Sequence, residues 1–132
     1  MNIESKIAHL GYIQDVIKRM GSNSFLIKGW SVTLVSALFA LYVNSSNVQF
    51  LTLAFIPALI FWGLDGYFLS IESTYRKHYD HVRIKNPEEI DFSMDIGYIQ
   101  HGFNEWISIT ISKTLFPFHG SLIGIIAVII FI

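Results

Sequence analysis

The chain has 132 residues, of which 52% are hydrophobic and 14% charged, with mean hydropathy +0.49 and net charge -1. Soluble domains carry about 25% charged residues, so the shortfall points to lipid, and the length allows one domain. The near-neutral charge gives no ground for a nucleic-acid partner, and the absence of Cys excludes disulfides, thiol catalysis and Cys-ligated zinc.

Residues 2–21 read as an amphipathic helix, because Ile3, Ile7, Leu10, Ile13, Ile17 and Met20 recur at spacings of three and four. Glu4, Asp15, Lys18 and Arg19 fall on its other faces. The segment is too charged to span a bilayer, so it should lie on the membrane surface or pack on a cytoplasmic part of the assembly. Its mixed charge is unlike a cleavable signal, and the apolar run after it is expected to act as an uncleaved anchor. Gly21, Ser22, Asn23 and Ser24 are expected to end this helix and cap the next.

Residues 25–43 form the expected first span, long enough for a hydrocarbon core of about 30 Å only if Lys28 is included. Ser31, Thr33, Ser36, Ala37 and Ala40 give it a small-residue face suited to close helix approach. Residues 44–49 carry no charge and make a short turn, so residues 50–71 should return as an antiparallel second span with Pro57 inside it. A helical stripe continues beyond it through Tyr67, Ile71, Tyr75 and Val82, supported by the i,i+4 pair Glu72–Arg76, until Asn86-Pro87 stops it. Residues 72–113 are expected to be cytoplasmic and become acidic through Glu88, Glu89, Asp91, Asp95 and Glu105. Trp106 to Ser112 alternates like a strand, but a lone strand has nothing to pair with, so an interfacial helix is expected there. Residues 114–132 are the expected third span, with Pro117 in its first turn.

The fold expected is therefore an all-α integral membrane protein in one domain. It has an N-terminal amphipathic helix, three transmembrane helices and a cytoplasmic helical extension of the second span. Lys6, Lys18, Arg19 and Lys28 lie at or before the first span, and Arg76, Lys77, Arg83, Lys85 and Lys113 lie between the second and third. The turn at 44–49 has no basic residue, so the N-terminus should be cytoplasmic and the C-terminus outward.

Lys28 and Asp65 fall at similar depth inside neighbouring spans, so they are expected to meet, as a register-setting charge pair, as part of a pore lining or as a proton-binding site. Trp30, Trp62 and Tyr67 stand where aromatic belts anchor helices at an interface. His119 inside the third span reads as a helix–helix hydrogen-bond donor. His78 and His81 have a spacing that could hold a metal, but only His101 or nearby acids could complete a set, so no metal is expected. No phosphate-cradling loop, catalytic triad or paired catalytic carboxylates can be argued, so neither enzymatic activity nor a cofactor is expected. The small-residue faces predict a homo-oligomer in the bilayer.

Two strings, NSFLIKGWSVTL (Asn23 to Leu34) and FWGLDGYFLSIESTYRKHYDHVR (Phe61 to Arg83), resemble small membrane proteins encoded beside bacterial antiphage defence systems. These include the RADAR membrane accessory, the Cas13b-associated membrane accessories and SLATT-like two-span effectors. The resemblance covers most of residues 20–85, and the chain departs from the SLATT pattern in its third apolar segment and its lack of a long cytoplasmic tail. It implies an oligomeric effector that perturbs or permeabilises the bacterial inner membrane. The alternative is a non-conducting anchor that recruits a soluble defence protein.

Overall fold

A computed structural model describes residues 3–99 and 102–132. These residues are all-α: α1 (Ile3–Ser45), α2 (Gln49–Arg83), a 3-10 turn (Pro87–Glu89), α3 (Phe103–Thr110) and α4 (Phe116–Phe131). Helices α1 and α2 are each long and apolar enough to cross a membrane, and α4 is a shorter apolar helix of 16 residues.

The two long helices form an antiparallel hairpin closed by residues 46–48. Ser46 takes a left-handed conformation (φ 57°), and its N–H bonds to Tyr42 C=O, which ends α1. Asn47 Oδ1 then accepts from Gln49 N–H at the start of α2. The buried line of α1 runs through His9, Ile13, Ile17, Ser24, Ser31 and Val35. That of α2 runs through Leu51, Ala54, Ala58, Asp65, Gly66, Ser70, Thr74, His78 and Val82. Steps of three and four keep each line on one face over the full length.

Helix α1 differs from its expectation. Gly21, Ser22, Asn23 and Ser24 do not break it; the amphipathic helix and the first apolar run are one helix of 43 residues. These residues are poor helix formers by less than about 1 kcal/mol each, and packing against α2 outweighs that preference. Ser24 bonds to Asp65 across the hairpin instead of capping a new helix. The expected stripe of 2–21 also divides: Ile13 and Ile17 are buried, whereas Ile3 and Ile7 are exposed and His9 takes the interior position near the end. The rotation of α1 is set by the whole contact with α2, not by its first five turns.

Two apolar cores result. Val35, Ala54, Ala58 and Ile126 pack near the turn, joining α1, α2 and α4. Ile13, Ile17, Val82 and Ile90 pack at the far end, with Leu10, Tyr75, Tyr79, Phe92 and Met94 around them. Between the cores lies a run of polar or small buried positions: Ser24, Asp65, Gly66, Ser70, Thr74 and His119.

The segment after α2 folds back along it. Lys6 Nζ donates to the C=O groups of Arg83 (2.8 Å) and Lys85 (2.6 Å), so a cation from α1 caps the C-terminal end of α2. Trp106 to Thr110 is helical, as the lack of a strand partner required. Helix α3 docks through two reciprocal indole bonds: Trp62 Nε1–H to Thr110 C=O at 2.7 Å and Trp106 Nε1–H to Gly63 C=O at 2.9 Å. Gly66 permits the approach, since a Cβ there would lie 2.0 Å from Thr110 Oγ1 and 3.3 Å from its Cα.

Candidate functional site

The polar layer between the cores is the candidate site, and α1, α2 and α4 each contribute to it. Asp65 is fully buried, and both its oxygens are used. Oδ1 accepts the Ser24 hydroxyl. Oδ2 accepts from Lys28 Nζ at 2.6 Å and from His119 Nε2 at 2.7 Å. Lys28 also donates to Ser24 Oγ at 2.8 Å. A carboxylate removed from water costs several kcal/mol unless opposite charge and hydrogen bonds replace its hydration; here three donors do so.

Local sequence explains each position. Ser24 and Lys28 are one turn apart on α1 and share a face. Asp65 continues the inward line of α2 from Ala54 and Ala58. Pro117 lies in the first turn of α4, and His119 and Ile126 both face inward two turns apart. The Trp62 ring stacks on His119 at 5.9 Å with the planes 10° apart, and Phe118 meets the imidazole edge-on at 5.0 Å. The Lys28 side chain keeps 23% of its exposure, so it forms the outer edge of the site, whereas His119 and Asp65 are closed in.

The structure brings together Lys28 and Asp65, and it supplies His119 with the acceptor on α2 that a helix–helix donor needs. Ser24 was not legible as a member, because its partner lies 41 residues away and its local context suggests a cap. Of the aromatic residues, Trp30 points outward at 58% exposure. Trp62 is turned inward onto His119 and α3 instead of standing free as an anchor. Tyr67 is 53% exposed and lines a groove of about 540 Å³ with Ile71, Phe103 and Trp106. Glu72, largely covered beside Gly21 of α1, pairs at 2.6 Å with the exposed Arg76, and Lys77 reaches Glu105 of α3 at 3.5 Å.

A second polar group closes the far end. His9 is 3% exposed, and its ring meets His78 (6.1 Å) and Phe92 (5.4 Å) edge-on. His78 bonds to the Tyr98 hydroxyl and to Ser93 C=O (2.9 Å). Burial, then the neighbouring His78, hold the His9 pKa below its usual 6.5 against an opposing pull from Asp91. The Ser93 N–H, which bonds to Asp91, lowers that carboxyl, while burial followed by Asp91 raises the Tyr98 hydroxyl. A cavity of about 330 Å³ lies beside this group, walled by His78, Lys85, Asp91, Ser93 and Tyr98. Phe92 holds a left-handed backbone (φ 59°), costly for a bulky side chain and kept by its packing on the core. No group of three or more metal-ligating side chains occurs among the described residues, and His101 lies outside them.

The buried junction can do two things chemically. It fixes the relative height of three helices, since a slip of one turn would strand a buried charge. It also holds an imidazole against a carboxylate, an arrangement able to exchange a proton. Compared with known proteins, the chain matches no family model, no curated protein and no solved structure.

Proposed function

We propose that the chain is a three-span membrane protein of the bacterial inner membrane that assembles as a homo-oligomer and perturbs or permeabilises that membrane as an antiviral defence effector. In this reading the N-terminus and residues 72–113 are cytoplasmic and the C-terminus faces outward, as the Lys and Arg distribution favours. The chain carries no enzymatic role and no cofactor.

The observation that carries the membrane reading is how little of the apolar surface the fold covers. In the most apolar 18-residue stretches of α1 and α2, only 11% and 28% of residues are buried, whereas a core helix of a soluble protein would be mostly buried. Phe25, Leu26, Val43, Ile56, Ile125, Val128 and Phe131 all face outward. The ionisable Lys28, Asp65 and His119 meanwhile turn toward one another, as hydrocarbon surroundings require. Helix α4 is about 24 Å long, slightly short of a full crossing. Local thinning of the bilayer or oligomerisation accommodates such a mismatch.

Assembly is supported by Thr33, Ser36, Ala37 and Ala40, which remain uncovered on α1 while Ser31 faces inward. The defence role is supported by the resemblance of residues 23–34 and 61–83. The enclosure of Asp65 supports the register-setting reading of the Lys28–Asp65 pair over the pore-lining one.

That enclosure also favours a second reading, a non-conducting anchor whose exposed Ile3, Ile7 and Ile84 receive a soluble defence protein. Reconstitution in liposomes separates the two. The effector reading expects release of an entrapped dye that rises with protein density and is lost in Ala40→Trp. Intact vesicles at every density and trigger, together with capture of a neighbour-encoded soluble protein that Ile3→Asp/Ile7→Asp abolishes, would establish the anchor instead.

A further inference from the structure

We propose that the groove over Gly21 of α1 is a binding site for one anionic phospholipid of the cytoplasmic leaflet. The proposal rests on the reading of α1 as a span with a cytoplasmic N-terminus.

Lys18, Gly21, Ser22, Phe25 and Leu26 line this groove of about 660 Å³. Their spacings of three and four put them on one side of the helix. Gly21 keeps the floor low, and a Cβ there would meet Glu72 Oε2 at an ordinary 3.7 Å. The chemistry of the walls changes within two turns. Lys18 and Ser22 are exposed and polar at the cytoplasmic end, whereas Phe25 and Leu26 are apolar, 77% and 57% exposed, and begin the expected span. A phospholipid has the same order, a charged phosphate above hydrocarbon. The unbroken course of α1 keeps the two halves in line. Lys18 lies about 10 Å from Phe25 along the axis, and its flexible stem can bend back to the level of the phosphate.

The sign of the headgroup follows from which cations are already matched. Lys6 is held by two carbonyls, Lys28 by Asp65, Arg76 by Glu72, Lys77 by Glu105 and Arg83 by Asp80. The side chains of Lys18 and Arg19 have no ion pair or hydrogen-bond partner among the described residues. Asp15 shares a second groove with them, but it lies one turn farther from the bilayer and pairs with neither. Glu72, the acid beside Gly21, is matched by Arg76 at 2.6 Å. The hydroxyls of Thr33, Thr74, Thr110 and Ser121 bend back onto their own helices. Ser22 makes no such bond among the described residues, so its hydroxyl can donate to a phosphate oxygen. An apolar helix in the groove would leave Lys18 and Ser22 unmatched, and a soluble acidic peptide would not reach Phe25 and Leu26. An anionic lipid uses both halves.

Native mass spectrometry of the full chain, released from micelles that hold phosphatidylglycerol and phosphatidylcholine of equal chain length, reads the site. The parent is expected to retain one phosphatidylglycerol per protomer, on the order of tenfold over phosphatidylcholine, from the attraction of two cations. Lys18→Gln/Arg19→Gln should bring that ratio near one. Gly21→Leu keeps both cations, fills the groove and should do the same. Arg83→Gln/Lys113→Gln removes as much charge from exposed positions elsewhere and should leave the ratio unchanged. Glycerol phosphate in excess should not displace the lipid, because it makes no use of Phe25 and Leu26. Equal retention of the two lipids by the parent, an unchanged ratio in Lys18→Gln/Arg19→Gln or Gly21→Leu, an equal fall in Arg83→Gln/Lys113→Gln, or displacement by glycerol phosphate overturns the proposal. So does a smaller oligomer in the groove variants with lipid retention unchanged, which would give the groove to a second copy. The parent ratio needs no substitution and decides even if a variant fails to fold. A chain that stays out of vesicles altogether defeats the membrane reading, whereas one that inserts without headgroup preference defeats only this proposal.

Discussion

His9 and His119 are almost equally buried, at 3% and 1%, and each leaves one ring nitrogen without a partner. Their surroundings differ in one respect. His119 has the Asp65 carboxylate at 2.7 Å, whereas the His9 ring meets the edges of His78 and Phe92, with Asp91 acting on it only through space. The far end is an aromatic nest that disfavours charge on His9, and the junction is a polar cluster that gives the His119 N–H an acceptor. Burial alone does not decide what a histidine does; the presence of a counter-charge does.

Removing that counter-charge has the largest expected effect. Asp65→Leu strands Lys28 and His119 at a helix junction and should cost about 3–5 kcal/mol in unfolding measured in mild detergent. Lys28→Met/Asp65→Leu should regain most of it, because an apolar pair leaves no unmatched ion. A single substitution that costs under about 1 kcal/mol would mean the junction does not hold the helices.

At the far end the effect is smaller and depends on pH. The His9 pKa lies below 6.5, so the unfolded chain binds the proton first. The stability this contributes is fully present above about pH 6.5 and is lost as pH falls toward the folded value. Amide protection across residues 84–99, taken relative to the intrinsic exchange rate at each pH, should therefore fall on acidification. His9→Phe keeps the aromatic packing, removes the unpartnered nitrogen and should raise stability at about pH 5 by about 1–2 kcal/mol. Exchange that is as steep in His9→Phe as in the parent would place the acid sensitivity elsewhere.

Between the two regions, Glu72 and the exposed Arg76 form an i,i+4 pair. Glu72→Gln should cost only about 0.3–0.5 kcal/mol and lose even that in high salt. A loss above about 1 kcal/mol would show that Glu72, which faces Gly21 of α1, joins the regions and not only its own helix.

Sequence patterns made the apolar runs, the short turn and the Lys28–Asp65 juxtaposition legible, because each depends on residues close in the chain or on matched depth. The fate of 21–24 was not legible: helix propensity is local, and Ser24 is held by a residue 41 positions on. His119 could be read as a donor, but its acceptor lies 54 residues away and needed the seating of α4. The inward turn of Trp62 was hidden for a similar reason, since its partners Thr110 and His119 come from two later helices. Residues 84–99 lack any apolar period, and their packing on Ile13, Ile17 and Val82 orders them together with hydrogen bonds from Lys6, Tyr75 and His78.

The unbroken course of α1 through its glycine and serine residues has a mechanical consequence. With no hinge between Lys28 and Ile3, the intervening part of the helix, about 38 Å long, is a rigid strut held at one end by the Asp65 junction and near the other by Lys6 on the C-terminal end of α2. A tilt of about 5° about the junction would carry the Ile3 end through about 3 Å, enough to break the Lys6 contacts. Gly21 thus lies along the shaft of a strut and not at a joint.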